Sequence, residues 1–278
     1  MKTALITGAT DGIGKEVALH LAKQGYTIHV LGRSSEKGQA VLGQLQKIHM
    51  GGAHRFYPVD LLSVKAIDTF IKTYTDEHES LDLLLLNANP SMKAGGSLPA
   101  PGGVNPFFMI GHVSRVLLIR GLDHVLAQGK NPKIIHIGDF TMAFDLDLEV
   151  AMDANAKPMK ALSQSYSANG LVAMNMGRQG LTGISQELMN PGLVLTQQAK
   201  SNKTIVNHLM KWVMGGIEPK EAGEIIGDYI VSTNVVRTNG LVHRRDKEKK
   251  VSQKYLRLDQ FQQLMLSTDK VINKLRAL

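Results

Sequence analysis

The sequence of 278 residues contains no cysteine. Disulfide bonds, thiolate nucleophiles, cysteine-ligated zinc and iron–sulfur clusters are therefore excluded. The sequence also lacks an apolar run that approaches the roughly 18 residues of a membrane span. Its first apolar stretch ends at Gly8, which is too early for a signal peptide. These absences predict a cytoplasmic protein without a membrane span.

The composition lacks extremes as well. Hydrophobic residues make up 43% of the chain and charged residues 20%, which excludes collagen-like, coiled-coil and wholly disordered classes. No internal repeat of solenoid period is present. The length suits one large α/β domain or two small ones.

The formal net charge of +8 is concentrated at the carboxyl end. Residues 237–278 contain 11 Lys or Arg and 4 Asp or Glu, whereas residues 1–236 contain 21 basic and 20 acidic residues. Acidic residues alternate with the basic ones in this tail, and few aromatic side chains are present to stack on bases. We therefore expect no nucleic-acid partner. The tail is expected to dock on its own domain or to form an oligomer contact, with an anion-seeking surface as the alternative.

Short apolar strands alternate with amphipathic helices along the chain, which predicts a doubly wound parallel sheet with helices on both faces. The predicted strands are residues 2–7, 27–31, 54–59, 81–86, 133–137 and 184–189. The predicted helices are residues 16–24, 36–48, 63–78 and 219–231. We expect a single nucleotide-binding domain over residues 1–250, followed by an amphipathic helical extension over residues 251–278.

A glycine-rich loop follows the first predicted strand and begins the first helix. It reads Thr7-Gly8-Ala9-Thr10-Asp11-Gly12-Ile13-Gly14. Glycines let the backbone approach a pyrophosphate, and the helix N-terminus supplies amide donors and a partial positive charge. The loop therefore predicts a dinucleotide site, with an ordinary strand-to-helix turn as the alternative.

The spacing TGxxxGxG of this loop resembles that of the short-chain dehydrogenase/reductase family. Three further segments resemble the family's motifs, namely Asp60-Leu61, Asn87-Ala88-Asn89 and Pro191-Gly192-Leu193-Val194-Leu195-Thr196. The resemblance extends over roughly residues 1–240 and implies a Rossmann-type fold and a nicotinamide cofactor. It places Asp60 at the adenine and the segment from Pro191 to Thr196 beside the nicotinamide. Asn89 replaces the glycine of the family's NAG motif.

The end of the second strand predicts NADP(H) rather than NAD(H). An acidic residue there would bind the ribose 2′-hydroxyl and favour NAD. This chain has Gly32-Arg33-Ser34-Ser35 instead. Arg33 can pair with a 2′-phosphate and Ser34 can donate a hydrogen bond to it. An exposed arginine without a partner is the alternative.

The residues that carry catalysis in the family are only partly present. The resemblance implies a Tyr-x-x-x-Lys pair on one helix face, together with a serine and an asparagine. The tyrosine exchanges a proton with the substrate, while the lysine holds the ribose and lowers the pKa of the tyrosine. Tyr166 matches the tyrosine, but Gly170 stands at the lysine position. Asp139 stands at the serine position, and His112 is the polar residue where the asparagine is expected.

Two functions follow from this pattern. In the first, the protein is an NADP(H)-dependent oxidoreductase that transfers hydride between the nicotinamide and a carbonyl or alcohol of a small apolar substrate. Tyr166 then donates the proton, and His112 or a buried, protonated Asp139 assists. In the second, the protein binds the cofactor without turnover and acts through a partner. The three residues would then be a helix tyrosine, a cap and a core histidine. A homo-oligomer could form through the helices or the carboxyl-terminal extension.

Overall fold

Within the computed structural model, residues 2–90, 97–140, 144–176, 184–195, 215–232, 241–244 and 247–278 are described. Among these residues, eight strands form one sheet. The strands are β1 (Thr3–Thr7), β2 (Thr27–Gly32), β3 (Arg55–Pro58), β4 (Leu83–Leu86), β5 (Lys133–Ile137), β6 (Ser185–Asn190), β7 (Leu241–Arg244) and β8 (Lys247–Lys250). Their order is β3-β2-β1-β4-β5-β6-β7-β8. Neighbouring strands are parallel except for β7 and β8, which are antiparallel.

Helices cover both faces of the sheet. They are α1 (Gly12–Lys23), α2 (Ser35–Ile48), α3 (Val64–Glu77), α4 (Ser114–Ala127), α5 (Leu148–Met152), α6 (Pro158–Met176), α7 (Pro219–Ser232) and α8 (Leu258–Ala277). Apolar residues of α1, α2 and α7 form a core on one face, and those of α3, α4, α6 and α8 form a core on the other. The predicted doubly wound fold, a single domain with a carboxyl-terminal helix, is confirmed.

Strand β4 shows how its sequence specifies this layering. All four of its leucines are buried. Successive side chains of a strand point to opposite faces, so Leu83 and Leu85 join the core beneath α1, whereas Leu84 and Leu86 join the core beneath α3. A strand between two helix layers therefore has a continuous apolar run, which is the pattern from which it was predicted.

Two regions differ from the prediction. A helical turn at Pro106–Phe108 and a π-helical stretch at Met109–Val113 precede α4; the periodicity predicted none of these helices, and only the family resemblance implied a helix near Phe108 to His112. The charged residues of β8 form an exposed edge strand. Its sequence, Lys-Glu-Lys-Lys, has no apolar alternation, so a strand was not expected there. Charged edge strands of this kind resist pairing with other chains.

Helix α8 docks on its own domain. Its buried side chains include Phe261, Leu264 and Thr268. Arg276 forms a bidentate pair with Asp68 of α3, at 2.7 and 2.8 Å. The docked arrangement predicted for the tail is therefore present. In the described part of the chain, no helix is both long and apolar enough to cross a membrane.

Candidate active site

The glycine-rich loop between β1 and α1 requires glycine at three positions. Gly8 and Gly12 have φ angles of 68° and 56°, in the left-handed region that favours glycine. A Cβ at Gly14 would collide with Asn87 Nδ2 and would lie 2.7 Å from the Gly8 carbonyl oxygen. The missing side chains leave a bare backbone cradle at the N-terminus of α1. This cradle fits a dinucleotide pyrophosphate.

The loop is joined to the end of β4 by a small hydrogen-bond network. Thr7 Oγ1 accepts from the backbone N–H groups of Asn87 and Ala88, both at 3.0 Å. Asn87 Nδ2 donates to the Thr7 carbonyl oxygen at 3.0 Å. Strand order reverses between β1 and β4, and ligands of doubly wound sheets bind in the crevice at such a reversal. The structure therefore brings these sequence-predicted residues together at the expected crevice.

The end of β2 carries hydroxyl and cationic groups. Arg33 is exposed, and Ser34 caps α2 by accepting from the Lys37 N–H at 3.3 Å. The Ser34 hydroxyl proton is therefore free to serve a ligand. Lys37 Nζ pairs with Asp11 Oδ2 of the glycine-rich loop at 2.7 Å and holds the pKa of Asp11 below its usual range. Lys37 was not predicted, although its place in the first turn of α2 could have indicated it.

Asp60 and Leu61 lie at the end of β3, one strand further along the same edge. The Val59 N–H donates to the Gly32 carbonyl oxygen at 3.1 Å, which holds this end of β3 against the end of β2. Asp60 is exposed, and its Oδ1 accepts from the Leu62 N–H at 3.0 Å. Leu61 is buried.

The segment after β6 turns at Gly192, which has a φ of 78°. Asn190 Oδ1 accepts from the Gly192 N–H at 2.7 Å, immediately after Pro191. Val194 is buried and pairs with Ile217, ahead of α7. The last predicted residue of this segment, Thr196, lies outside the described residues.

Tyr166 lies on α6 and is half-buried beside the end of β5. A Cβ at Gly138 would lie 2.9 Å from the Tyr166 ring, so the glycine permits this close approach. The ring also meets Phe140 edge-to-face, with centroids 5.9 Å apart. Burial raises the pKa of Tyr166 to about 12; Asp139 acts in the same direction, and Arg115 opposes it. The phenol is therefore protonated at neutral pH, and its burial makes it a weaker acid than an exposed tyrosine.

The lysine position is filled from another part of the chain. A Cβ at Gly170 would lie 2.5 Å from the ring of Tyr255, which belongs to the 3₁₀ turn Gln253–Leu256 before α8. Tyr255 is only 1% exposed, and its carbonyl oxygen accepts from Asn175 Nδ2 at 2.9 Å. The glycine therefore accommodates an aromatic ring that the rest of the fold holds in place.

The other two catalytic candidates, Asp139 and His112, lie in contrasting surroundings. Asp139 is exposed, not buried as expected, and its Oδ1 accepts from Asn190 Nδ2 at the end of β6, at 2.8 Å. His112 is fully buried, and its Nε2 lies 2.9 Å from Thr268 Oγ1 of α8. Burial lowers the pKa of His112 to about 3, so the ring is a poor proton donor at neutral pH. Its environment matches the core-histidine alternative.

Two further polar side chains lie near the site: Arg115, which was missed, and Asn89, which was noted only as the replacement of the motif's glycine. Arg115 of α4 donates through Nη2 to the carbonyl oxygens of Ala88 and Ile137, at 3.3 and 3.0 Å. Asn89 Nδ2 donates to the Ile137 and Asn87 carbonyl oxygens, at 3.3 and 3.2 Å. An arginine within the apolar run that begins α4 was the available signal.

The sheet order, the bare glycine loop and its network with β4 define a nucleotide-binding protein of the doubly wound α/β class. A family model described as short chain dehydrogenase matches residues 2–138. The chain belongs to the short-chain dehydrogenase/reductase family.

Similar proteins include human retinol dehydrogenase 13 and mouse polyprenol dehydrogenase. The first is 29% identical over 213 residues, which cover 70% of this chain and 60% of that protein. The second is 27% identical over 207 residues, which cover 70% of this chain and 61% of that protein. The chain thus spans about three fifths of the length of these curated relatives.

Among solved structures, an alcohol dehydrogenase from the archaeon Thermococcus sibiricus, complexed with 5-hydroxy-NADP, has the same fold. Its TM-score is 0.66 at 17% identity, and the match covers 91% of this chain and all of that chain.

Proposed function

We propose that the protein is an NADP(H)-dependent oxidoreductase that transfers hydride between the nicotinamide and a carbonyl or alcohol of a small apolar substrate. The observation that carries this proposal is Tyr166, a phenol protonated at neutral pH beside the end of β5. When bound, the cofactor supplies or accepts the hydride. In the direction of reduction, the Tyr166 O–H donates its proton to the carbonyl oxygen, which becomes the hydroxyl of the product alcohol.

The proposed preference for NADP(H) rests on the end of β2. Arg33 supplies a positive charge there, Lys37 supplies a second that is shared with Asp11, and Ser34 supplies a hydroxyl donor. Together they suit a 2′-phosphate, and the three residues directly after β2, Arg33, Ser34 and Ser35, include no acid to bind a 2′-hydroxyl instead. The remaining predicted cofactor contacts are Thr7, Gly8, Asp11, Gly12, Ile13, Gly14, Asp60, Leu61, Asn87, Ala88, Pro191, Gly192, Val194 and Thr196.

The names of the relatives support an apolar substrate. Retinol and polyprenol, which appear in those names, are apolar alcohols. The filled lysine position favours a second candidate, a cofactor-binding protein without turnover. Single-turnover kinetics separate the two candidates.

Replacing Tyr166 by phenylalanine tests the proton donor. Single-turnover reduction of a panel of apolar aldehydes and ketones with NADPH should slow by about a hundredfold or more, the usual contribution of a positioned proton donor. Tyr26→Phe, in a buried position at the start of β2, is the matched control and should retain the wild-type rate. An unchanged rate in Tyr166→Phe would remove Tyr166 from the mechanism, and a wild-type protein inactive on the whole panel would favour the second candidate.

Thermal stabilisation by NADPH and NADH tests the cofactor preference, because a ligand that binds the folded state raises the melting temperature. NADPH should stabilise the wild-type protein more than NADH does. Arg33→Ala and Lys37→Ala should each weaken NADPH binding by about tenfold, since each removes a charged contact to the phosphate. Lys23→Ala, at the far end of α1, is the control and should leave the stabilisation by NADPH and by NADH unchanged. Equal stabilisation by both cofactors would contradict the assignment.

A further inference from the structure

Arg115 is a buried charge that has no ion-pair partner among the residues that the structure describes. The residue is 2% exposed and lies on the sheet side of α4. Its Nη2 is occupied by two backbone carbonyl groups. In the described part of the chain, Nε and Nη1 donate to no protein atom. Burying a guanidinium is expensive, and such groups are normally paired with an acid. A purely structural role explains this arrangement poorly.

Arg115 and Tyr166 both contact the peptide unit that joins Ile137 to Gly138. The Ile137 carbonyl oxygen accepts from Arg115 at 3.0 Å, and the next residue, Gly138, lies against the Tyr166 ring. The π-helical stretch Met109–Val113, which precedes α4, also contacts α6: Gly111 lies directly against Ser165, and its carbonyl oxygen accepts from Asn169 Nδ2. The guanidinium is therefore held close to the phenol from a different helix.

The neighbouring titratable groups leave Arg115 as the cation that acts on Tyr166. His136 on β5 and His112 before α4 both have pKa values lowered to about 3 by burial, so both are neutral at neutral pH. Burial lowers the pKa of Arg115 only to about 10, so the guanidinium stays charged. Asp139 opposes Arg115 by raising the pKa of Tyr166 and also that of Tyr255, which faces Gly170.

We propose that Arg115 acts through Tyr166 in place of the lysine that Gly170 replaces. When Tyr166 gives its proton to a substrate oxygen, the negative charge of the phenolate remains on the tyrosine. The fixed guanidinium stabilises this charge, and the low-dielectric surroundings strengthen the interaction. The chemical step rests on the proposed function, whereas the coupling between the two side chains can be measured without any substrate.

The experiment titrates position 166 directly in the full-length protein without ligand. A fluorinated tyrosine is incorporated at position 166, because its more acidic phenol titrates before the protein unfolds in alkali. Fluorine NMR then follows the phenolate. Arg115→Met should raise the titration midpoint by about one pH unit, which is about tenfold weaker acidity. Arg115→Lys should restore most of the shift. Arg120→Met, on the same helix and paired at the surface with Asp269, is the matched control and should leave the midpoint unchanged.

An unchanged midpoint in a folded Arg115→Met protein would overturn the proposal. If that variant does not fold, the protein with its wild-type arginine still allows a test, because no arginine of the described residues shifts the pKa of the buried Tyr255. The fluorinated tyrosine should titrate at lower pH at position 166 than at position 255, and the reverse order would overturn the proposal. A shifted midpoint in a protein inactive on every carbonyl would leave this coupling intact while rejecting the proposed function. Normal turnover with an unshifted midpoint would reject this coupling while leaving the proposed function intact.

Discussion

The Tyr255 ring limits what position 170 can hold. Gly170→Ala should lower the free energy of unfolding by about 1–3 kcal/mol, because its Cβ would overlap a buried ring. Helix propensity alone would favour alanine by about 1 kcal/mol. Gly43→Ala in α2 is the matched control: no atom lies within 4 Å of its Cβ position, so this variant should gain stability. Denaturant unfolding measures both, and a gain in both would contradict the packing argument.

The same contact changes what can be expected of a lysine at position 170. From the sequence, Gly170→Lys would test whether the family's lysine is the only missing part. In the structure, a lysine stem would have to displace Tyr255, which is held through its carbonyl group by Asn175. Gly170→Lys should therefore destabilise the protein instead of restoring a Tyr-x-x-x-Lys pair.

Helix α8 is connected to the interior by one buried polar contact. Thr268 Oγ1 donates to the Leu264 carbonyl oxygen at 2.7 Å, so it accepts from His112 Nε2. Thr268→Val should lower the free energy of unfolding by about 1–3 kcal/mol, because it leaves a buried imidazole donor without a partner. Thr69→Val is the matched control, since Thr69 makes the same bond to a carbonyl oxygen four residues back but is exposed.

Denaturant unfolding of both variants measures this difference. If Thr268→Val lowers the free energy of unfolding no more than Thr69→Val does, His112 finds another partner. This contact also explains why the sequence left the role of His112 open between a catalytic group and a core histidine: its partner Thr268 is 156 positions away in the chain.

Buried histidines should make the stability of the fold depend on pH. Burial lowers the pKa values of His29, His112 and His136 to about 3, from an ordinary value of 6.5. Below pH 6.5 the unfolded chain therefore binds protons that the folded chain does not. The free energy of unfolding therefore has its full value above pH 6.5 and falls as the pH drops towards 3. The slope of the free energy of unfolding against pH should approach about 1.4 kcal/mol per pH unit for each histidine.

Denaturant unfolding at a series of pH values below 6.5 measures this slope. His136→Gln should reduce it by the contribution of one proton, because glutamine cannot titrate. A free energy of unfolding that stays constant as the pH falls below 6.5 would show that these rings accept protons in the folded state.

Local patterns were sufficient to predict the nucleotide-binding half of the molecule. The β1–loop–α1 unit is contiguous in the chain, so its apolar strand, glycines and helix start could be predicted from neighbouring residues. The strand ends that follow carry motif residues at the same edge because parallel strands have the same direction. Helix α4 and strand β8 were missed, since a helix whose first six residues are all buried and a wholly charged strand both lack the usual periodicity.

The catalytic surroundings depend on contacts between distant segments. Tyr166 is recognisable from its own sequence, but the ring beside Gly170 comes from the turn before α8, and the buried cation comes from α4. Residue types along the chain state which groups are present, whereas burial and proximity to other charges set their pKa values. Burial and proximity to other charges exist only once the helices have packed against the sheet. The absence of the lysine could therefore be seen in the sequence, whereas its replacement could not.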